Sequence, residues 1–298
     1  MIRIGWFLNL DADLELAAGE GYTPTKAVLD AMAPHVQKLA ASLVGPGEVF
    51  VASDTTQHGG GAASVVVRGR LLGRAFCPTP RALACMRGLG VEPEPHPSFD
   101  VLRRVNSRAF SAELGQTLPG AVFVRTLDEA RGVVASPPPA GQQWRAKRAF
   151  GMAGRGQRPI AVGALSDADA QFIATSVARD GGLQLEPEVT IVRELALHGL
   201  IDAEGALRSG RLVAQRCDDT GQWLESVPLD EDVPALREEA MRVAAALHAA
   251  GYFGPFGIDA FEYRDGDRVA LNVRSEINAR YSMGWAVGMG ATRPDLDE

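Results

Sequence analysis

The chain has 298 residues, 46% apolar and 22% charged, with 30 basic against 37 acidic side chains and a net charge of −7. That length allows about two domains of roughly 150 residues and a core that needs no disulfide or structural metal, and the acidic balance argues against nucleic acid as a partner. No apolar run reaches the roughly 18 residues of a membrane span, the short N-terminal apolar stretch is halted by Asn9 and Asp11, and Cys77, Cys85 and Cys217 fit no metal or disulfide spacing, so a reducing cytoplasm is expected.

Residues 2–8 (IRIGWFL) read as a strand. A helix is predicted from Pro24 to Leu43, with Thr23 as its cap and apolar residues at helical spacing, ended by Gly45-Pro46-Gly47. A strand at 48–52, a polar loop with Gly59, Gly60 and Gly61, a strand at 64–67 and a helix at 81–86 follow. Strands alternating with helices imply a parallel sheet, and Pro93, Pro95 and Pro97 mark its edge, so residues 1–97 are expected to form an α/β domain. Residues 98–182 read as a smaller α+β unit. It has a helix at 98–114, strands at 121–126 and 143–149, a glycine-rich segment at 151–156, a strand at 160–165 and a helix at 167–179. Residues 183–298 return to strands at 183–195, 211–217 and 223–227, the last two joined by a polar turn at 218–221, then a helix at 233–250 stopped by Gly251. Two closing strands, 257–263 and 268–280, are joined by a turn at 264–267.

One compositional fact is sharper than the rest. Only Lys26, Lys38 and Lys147 are lysines; the other 27 basic residues are arginines. Where arginine serves for nearly every surface cation, a retained lysine draws attention as a compact point charge of the kind that suits a phosphate. Lys147 lies just before Gly151, Gly154 and Gly156. Glycines let backbone N–H groups approach a phosphate closely. The spacing is neither that of a P-loop nor that of the dinucleotide fingerprint, and Pro159 follows rather than a helix, so the segment reads as a hairpin that folds over a polyphosphate or as a plain loop. Asp259 and Glu276 lie on adjacent strands, and Glu276, Asn278 and Arg280 alternate onto one face. Three oxygen ligands there suit Mg²⁺, with Arg280 beside them to meet negative charge; a solvated polar strand face is the other reading of the same pattern. Glu186 with Pro187 and Glu188 reads as a hinge strand or a surface turn, and His58 as a solvated loop histidine.

In their order, these pieces resemble the ATP-grasp superfamily over roughly residues 98–284, with residues 1–97 similar to the domain that precedes such a module. The resemblance implies an N-terminal α/β domain followed by a two-lobed module: a small lobe at 98–182 and a C-terminal lobe at 183–298. It also implies an ATP-dependent ligase joining a small carboxylic acid to an amine through an acylphosphate, with ATP and Mg²⁺ as cofactors. Lys147 and GMAGRG would hold phosphates, Glu186 and the backbone after it the adenine, and Glu194 the ribose hydroxyls. Asp259, Glu276 and Asn278 would hold the metal, and Arg280 the transferring group. One departure stands out: where many members carry an earlier phosphate-binding lysine, this chain offers Arg108, a cation of different geometry. A kinase of small molecules on the same fold and a nucleotide-binding protein without catalysis remain alternatives. Neither nucleic acid nor membrane is expected as a partner, and a homodimer is compatible with the sequence.

Overall fold

The computed structural model describes residues 3–52, 71–152, 154–217 and 223–290. The expected loop with Gly59–Gly61, His58, the strand at 64–67 and the turn at 218–221 lie outside the described residues. Three sheets follow one another along the chain. The first is parallel, in the order β2(Val49–Ala52)–β1(Arg3–Phe7)–β3(Leu71–Ala75)–β4(Glu92–Pro93). Helix α2 (Lys26–Leu43) connects β1 to β2, and α3 (Pro80–Gly88) connects β3 to β4. Helix α2 starts two residues later than its sequence suggests, because the Thr25 hydroxyl accepts from the Val28 N–H and so caps it. A short helix α1 (Ala12–Ala18), which is not among the expected elements, follows β1.

The second sheet is antiparallel, in the order β5(Val122–Val124)–β8(Leu183–Pro187)–β6(Trp144–Met152)–β7(Arg155–Ile160). Helices α6 (Leu127–Val134) and α7 (Asp167–Asp180) supply side chains to a core of its own, with Val124, Ala130, Trp144, Ile160, Ile173 and Leu185 at its centre. The strand expected at 160–165 is displaced: β7 pairs with β6 across the glycine-rich hairpin and ends at Ile160, while Val162 and Leu165 pack onto the core from a loop. Helix α6 is also unexpected, although Thr126 and Glu129 carry a capping signature. The Thr126 hydroxyl accepts from the Glu129 N–H, and Glu129 accepts from the Arg125 N–H.

The third sheet is antiparallel, in the order β11(Trp223–Pro228)–β10(Leu207–Cys217)–β9(Ile191–Ile201)–β12(Gly254–Asp265)–β13(Arg268–Asn278), backed by α8 (Pro234–Ala249). The single run expected at 183–195 is two strands in two sheets, β8 and β9, broken where Pro187 lacks an N–H. Likewise, the helix expected at 98–114 is α4 (Phe99–Val105) and α5 (Arg108–Glu113). The Asn106 amide turns out to bond the Ala279 backbone in both directions, and Ser107 caps the second helix. A short α9 (Trp285–Met289) closes the described chain.

The largest core joins the first sheet to the third. Trp6, Leu39 and Phe76 belong to the same buried cluster as Leu195, Ile258, Ile277, Leu247 and Trp285. Tyr281 packs edge-on between Trp6 and Trp285, at 4.9 Å from each ring. Among the described residues no helix is long and apolar enough to cross a membrane.

Candidate active-site cleft

A cleft of about 1070 Å³ runs between the second and third sheets and reaches the first. Lys147, Gly151, Gly154, Gly156, Glu186, Glu194, Arg108, Asp259, Glu276, Asn278 and Arg280 all line it. One wall comes from the second sheet. Lys147 on β6 forms an ion pair with Glu186 on the neighbouring β8; Glu186 is buried and Lys147 partly so. Gln184, two residues before Glu186 and on the same face, donates to its other oxygen at 2.7 Å. Of the backbone after Glu186, Pro187 has no N–H and the Glu188 N–H is taken by the Gln143 carbonyl at 2.8 Å. Arg145 pairs with the Glu188 carboxylate beside it. Gly154 and Gly156 both have φ in the left-handed region, at 75° and 78°, which is why the hairpin needs glycine there.

Arg108 is the first residue of α5 and spans the two walls. Its guanidinium donates to the Arg148 carbonyl of β6 at 2.7 Å and pairs with Glu276 of β13 at 2.9 Å. Gly151 makes room for it: a Cβ there would sit 2.9 Å from Arg108 Nη1. Helix α5 is held in this register by Arg274 of β13, whose buried guanidinium donates to the Ser111 hydroxyl and carbonyl at 3.0 Å each and pairs with Glu239 of α8. Arg108 is therefore a clasp between the sheets.

On the opposite wall, Asp259 and Glu276 face each other across the β12–β13 pair, with Asn278 next on the same face. The Asp259 carboxylate accepts from Gln215 at 2.6 Å and from Asn278 at 2.8 Å. Burial, reinforced by the nearby Glu276 charge, pushes its pKa up from 3.8 to about 6. Two facing carboxylates and an amide oxygen are a hard-oxygen donor set, and a divalent cation would relieve the repulsion between them, so these residues fit Mg²⁺. Among the described residues no group of three or more His, Cys, Asp or Glu gathers as a metal site, so any ion here would draw further oxygens from a ligand or water.

Arg280 lies beyond the end of β13, and its partner comes from the far end of the chain. Its Nε and Nη2 donate to Asp13 of α1 at 3.1 and 2.7 Å, and Nη1 donates to the Tyr281 carbonyl at 3.1 Å. Burial works against its charge, but the Asp13 carboxylate more than offsets this and raises its pKa. Glu194 on β9 lies beside Gln215 of β10 on one side and Phe261 of β12 on the other. Gln215, Asp13, Arg145 and Arg155 also line the cleft and were not singled out from the sequence. Gln215 had a signal, a polar residue within the apolar run of RLVAQRC; Asp13 had none. Val189, Ile191, Val192 and Phe261 add apolar lining to the cleft, and Ile191 and Val192 are exposed.

No protein-family model matches the chain, and no curated protein matches its sequence. Solved structures do match. D-alanyl-alanine synthetase A from Vibrio cholerae O1 biovar eltor str. N16961 is 13% identical, with a TM-score of 0.55 over 97% of this chain and 91% of that one. N5-carboxyaminoimidazole ribonucleotide synthetase from Thermus thermophilus is 18% identical, with a TM-score of 0.48 over 94% and 72%. The corresponding synthetase from Staphylococcus aureus, complexed with ADP, is 14% identical, with a TM-score of 0.48 over 93% and 70%. The chain has the fold of the first of these along nearly its whole length, the ATP-grasp fold that the order of its motifs suggested.

Proposed function

We propose that the protein is an ATP-dependent carboxylate–amine ligase that forms ADP, working in a reducing, cytoplasmic compartment. One observation carries this reading. The lysine-and-glycine wall and the Asp259–Glu276–Asn278 wall face into one cleft and are clasped by Arg108. A polyphosphate between them would meet cations and backbone N–H groups from one side and metal-binding oxygens from the other. The fold shared with a peptide-forming synthetase agrees with it.

In this reading residues 1–97, 98–182 and 183–298 are the three working units. Lys147 exchanges its Glu186 partner for phosphate oxygens, and Arg108 reaches the same phosphates from α5. The apolar lining at Val189, Ile191 and Phe261 takes the base, and Glu194 the ribose hydroxyls. Because Pro187 has no N–H and the Glu188 N–H is already bonded, the base is held chiefly by these apolar side chains rather than by backbone donors at those two positions. The hairpin at Gly151–Gly156 closes over the phosphates and excludes water. Asp259, Glu276 and Asn278 would hold Mg²⁺, which when bound neutralises phosphate charge. The acid's carboxylate oxygen attacks the γ-phosphorus and ADP leaves; the amine then displaces phosphate from the acyl carbon. The chain itself supplies positioning and charge rather than a nucleophile.

The test is ADP release with Mg²⁺ across a panel of acids, using hydroxylamine as a surrogate amine. ADP release coupled to hydroxamate supports the ligase. ADP release with phosphorylation of a hydroxyl group and no hydroxamate would replace it with a kinase.

A further inference from the structure

The cleft does not end at the metal-binding strands. Beyond Arg280 it continues against the first sheet, and there its lining changes character. Alongside Asp13 and Arg280 the cleft is lined by Leu10, Met32 and His35 of α2, Phe76, Met283 and Trp223. They are brought together by contacts independent of the nucleotide wall. Phe76 lies under the Arg280 guanidinium, 5.3 Å from ring centre to charge, and its carbonyl accepts from the Tyr281 N–H at 3.1 Å. Lys38 of α2 sits 4.5 Å over the Trp223 ring and also bonds the Leu224 carbonyl, which fastens α2 across the end of β11.

The charge at this end is also distinctive. On the nucleotide side Arg108, Arg145, Lys147 and Arg155 line the cleft. Here the guanidinium is that of Arg280, and Asp13 takes two of its nitrogens. The pair is neutral overall but strongly dipolar, with both members facing the cleft. Such a pair offers little to an anion such as a phosphate. It matches a zwitterion, whose carboxylate meets the guanidinium edge and whose ammonium meets Asp13. The apolar wall around it accepts a side chain too large and too apolar for a merely polar pocket.

The geometry points to an amino acid with a bulky apolar side chain, of leucine, methionine or phenylalanine type, as one of the two molecules joined, seated on the Asp13–Arg280 pair and against Met32, Phe76 and Met283. This rests on the ligase reading above and names its substrate class.

Two measurements on the full chain separate the two. Calorimetry with ADP and Mg²⁺ tests the nucleotide site alone. ADP release with hydroxylamine is then compared for leucine, methionine and phenylalanine against alanine, aspartate, glutamate and O-phosphoserine. The expected result is that kcat/KM for the bulky apolar amino acids exceeds that for alanine by at least about tenfold, the scale of apolar-pocket discrimination, with the acidic and phosphorylated compounds weaker still. Met283→Glu should lower kcat/KM for leucine at least about tenfold and leave the ADP affinity unchanged. Met32→Ala, a milder change, should shift preference toward larger side chains. ADP binding combined with a preference for acidic or phosphorylated compounds, or with no response to apolar amino acids in either release or calorimetry, would overturn the substrate class and leave the ligase standing. Failure to bind ADP at all would overturn both.

Discussion

The two walls of the cleft settle their charges differently. On the small-sheet wall, Lys147 and Glu186 neutralise one another, Arg145 and Glu188 do the same beside them, and the lobe closes a separate core around Trp144, Ile173 and Leu185. On the five-stranded wall, Asp259 and Glu276 are like charges set face to face, and the strands that hold them share one continuous core with the first sheet through Trp6, Tyr281 and Trp285. The small lobe has a core of its own, but Ala149 and Phe150 of β6 also join the largest one, so its self-neutralised face is carried on a strand anchored at one end. A unit fused to the largest core is able to hold an unfavourable charge arrangement in place, because the surrounding packing over-determines it. Arg108 bridges the cleft through an ion pair to Glu276 of β13 and a hydrogen bond to the Arg148 carbonyl of β6, and so is a place where movement of one wall is felt by the other.

The largest expected effect tests the strained wall. Asn278→Ala should lower ADP release about a hundred- to a thousandfold, roughly 2.7–4 kcal/mol of lost electrostatic stabilisation. The fold should lose only about 1 kcal/mol with the Asn278–Asp259 bond. Melting temperature and turnover on the same sample separate the two; unchanged turnover at saturating Mg²⁺ would remove the metal assignment.

Next is the pH dependence of that strain. With a folded pKa of about 6 against 3.8 for the free group, Asp259 holds a proton in the folded state that the unfolded chain has already released between those values. Stability at this site therefore falls as pH rises through that window, by up to about 3 kcal/mol above it. Wild type should gain on Asp259→Asn by that order as metal-free samples are taken from pH 7 to pH 4 in urea titrations. Stabilisation by Mg²⁺ and nucleotide should fade below about pH 6. A difference between the two proteins that stays flat with pH would mean that the wall is not strained.

On the self-neutralised wall, Lys147→Arg should keep the Glu186 pair and the fold. It should still cost at least about tenfold in kcat/KM for ATP, near 1.4 kcal/mol, because a planar fork does not replace a point charge at a phosphate. Full turnover by this variant would show that the near-absence of lysine elsewhere carries no meaning.

The smallest effect concerns the clasp. Arg108→Gln should cost about 1 kcal/mol of stability. Its clearer signature should be faster amide exchange across β5–β8, with β9, β12 and β13 unchanged. Equal exchange in both sheets would indicate that the lobes are held by packing rather than by Arg108.

The sequence by itself determined most of the order of the elements and marked residues on both walls. Strand alternation, helix breakers and the short turn at 264–267 are local signals, set by residues within a few positions of one another. The rarity of lysine marked Lys147, and alternation put Glu276 and Asn278 on one face, for the same local reason. The Thr126–Glu129 capping pair is equally legible, though no helix was expected there. Tertiary structure decided what meets across distance. Counted back from the Gly266-Asp267 turn, an unbroken hairpin places Asp259 opposite Arg274. The actual pairing slips by two residues between Asp259 and Phe261, bringing Glu276 opposite instead and sending Arg274 to Glu239 and Ser111. The slip keeps each side chain on its own face, so no alternation pattern could reveal it. The split of the expected helix at Asn106, the Arg108–Glu276 clasp and the Arg280–Asp13 pair, whose members are 267 positions apart, were equally out of reach. Each is fixed by how whole elements pack, and the energy of that packing is not written in the spacing of any one segment.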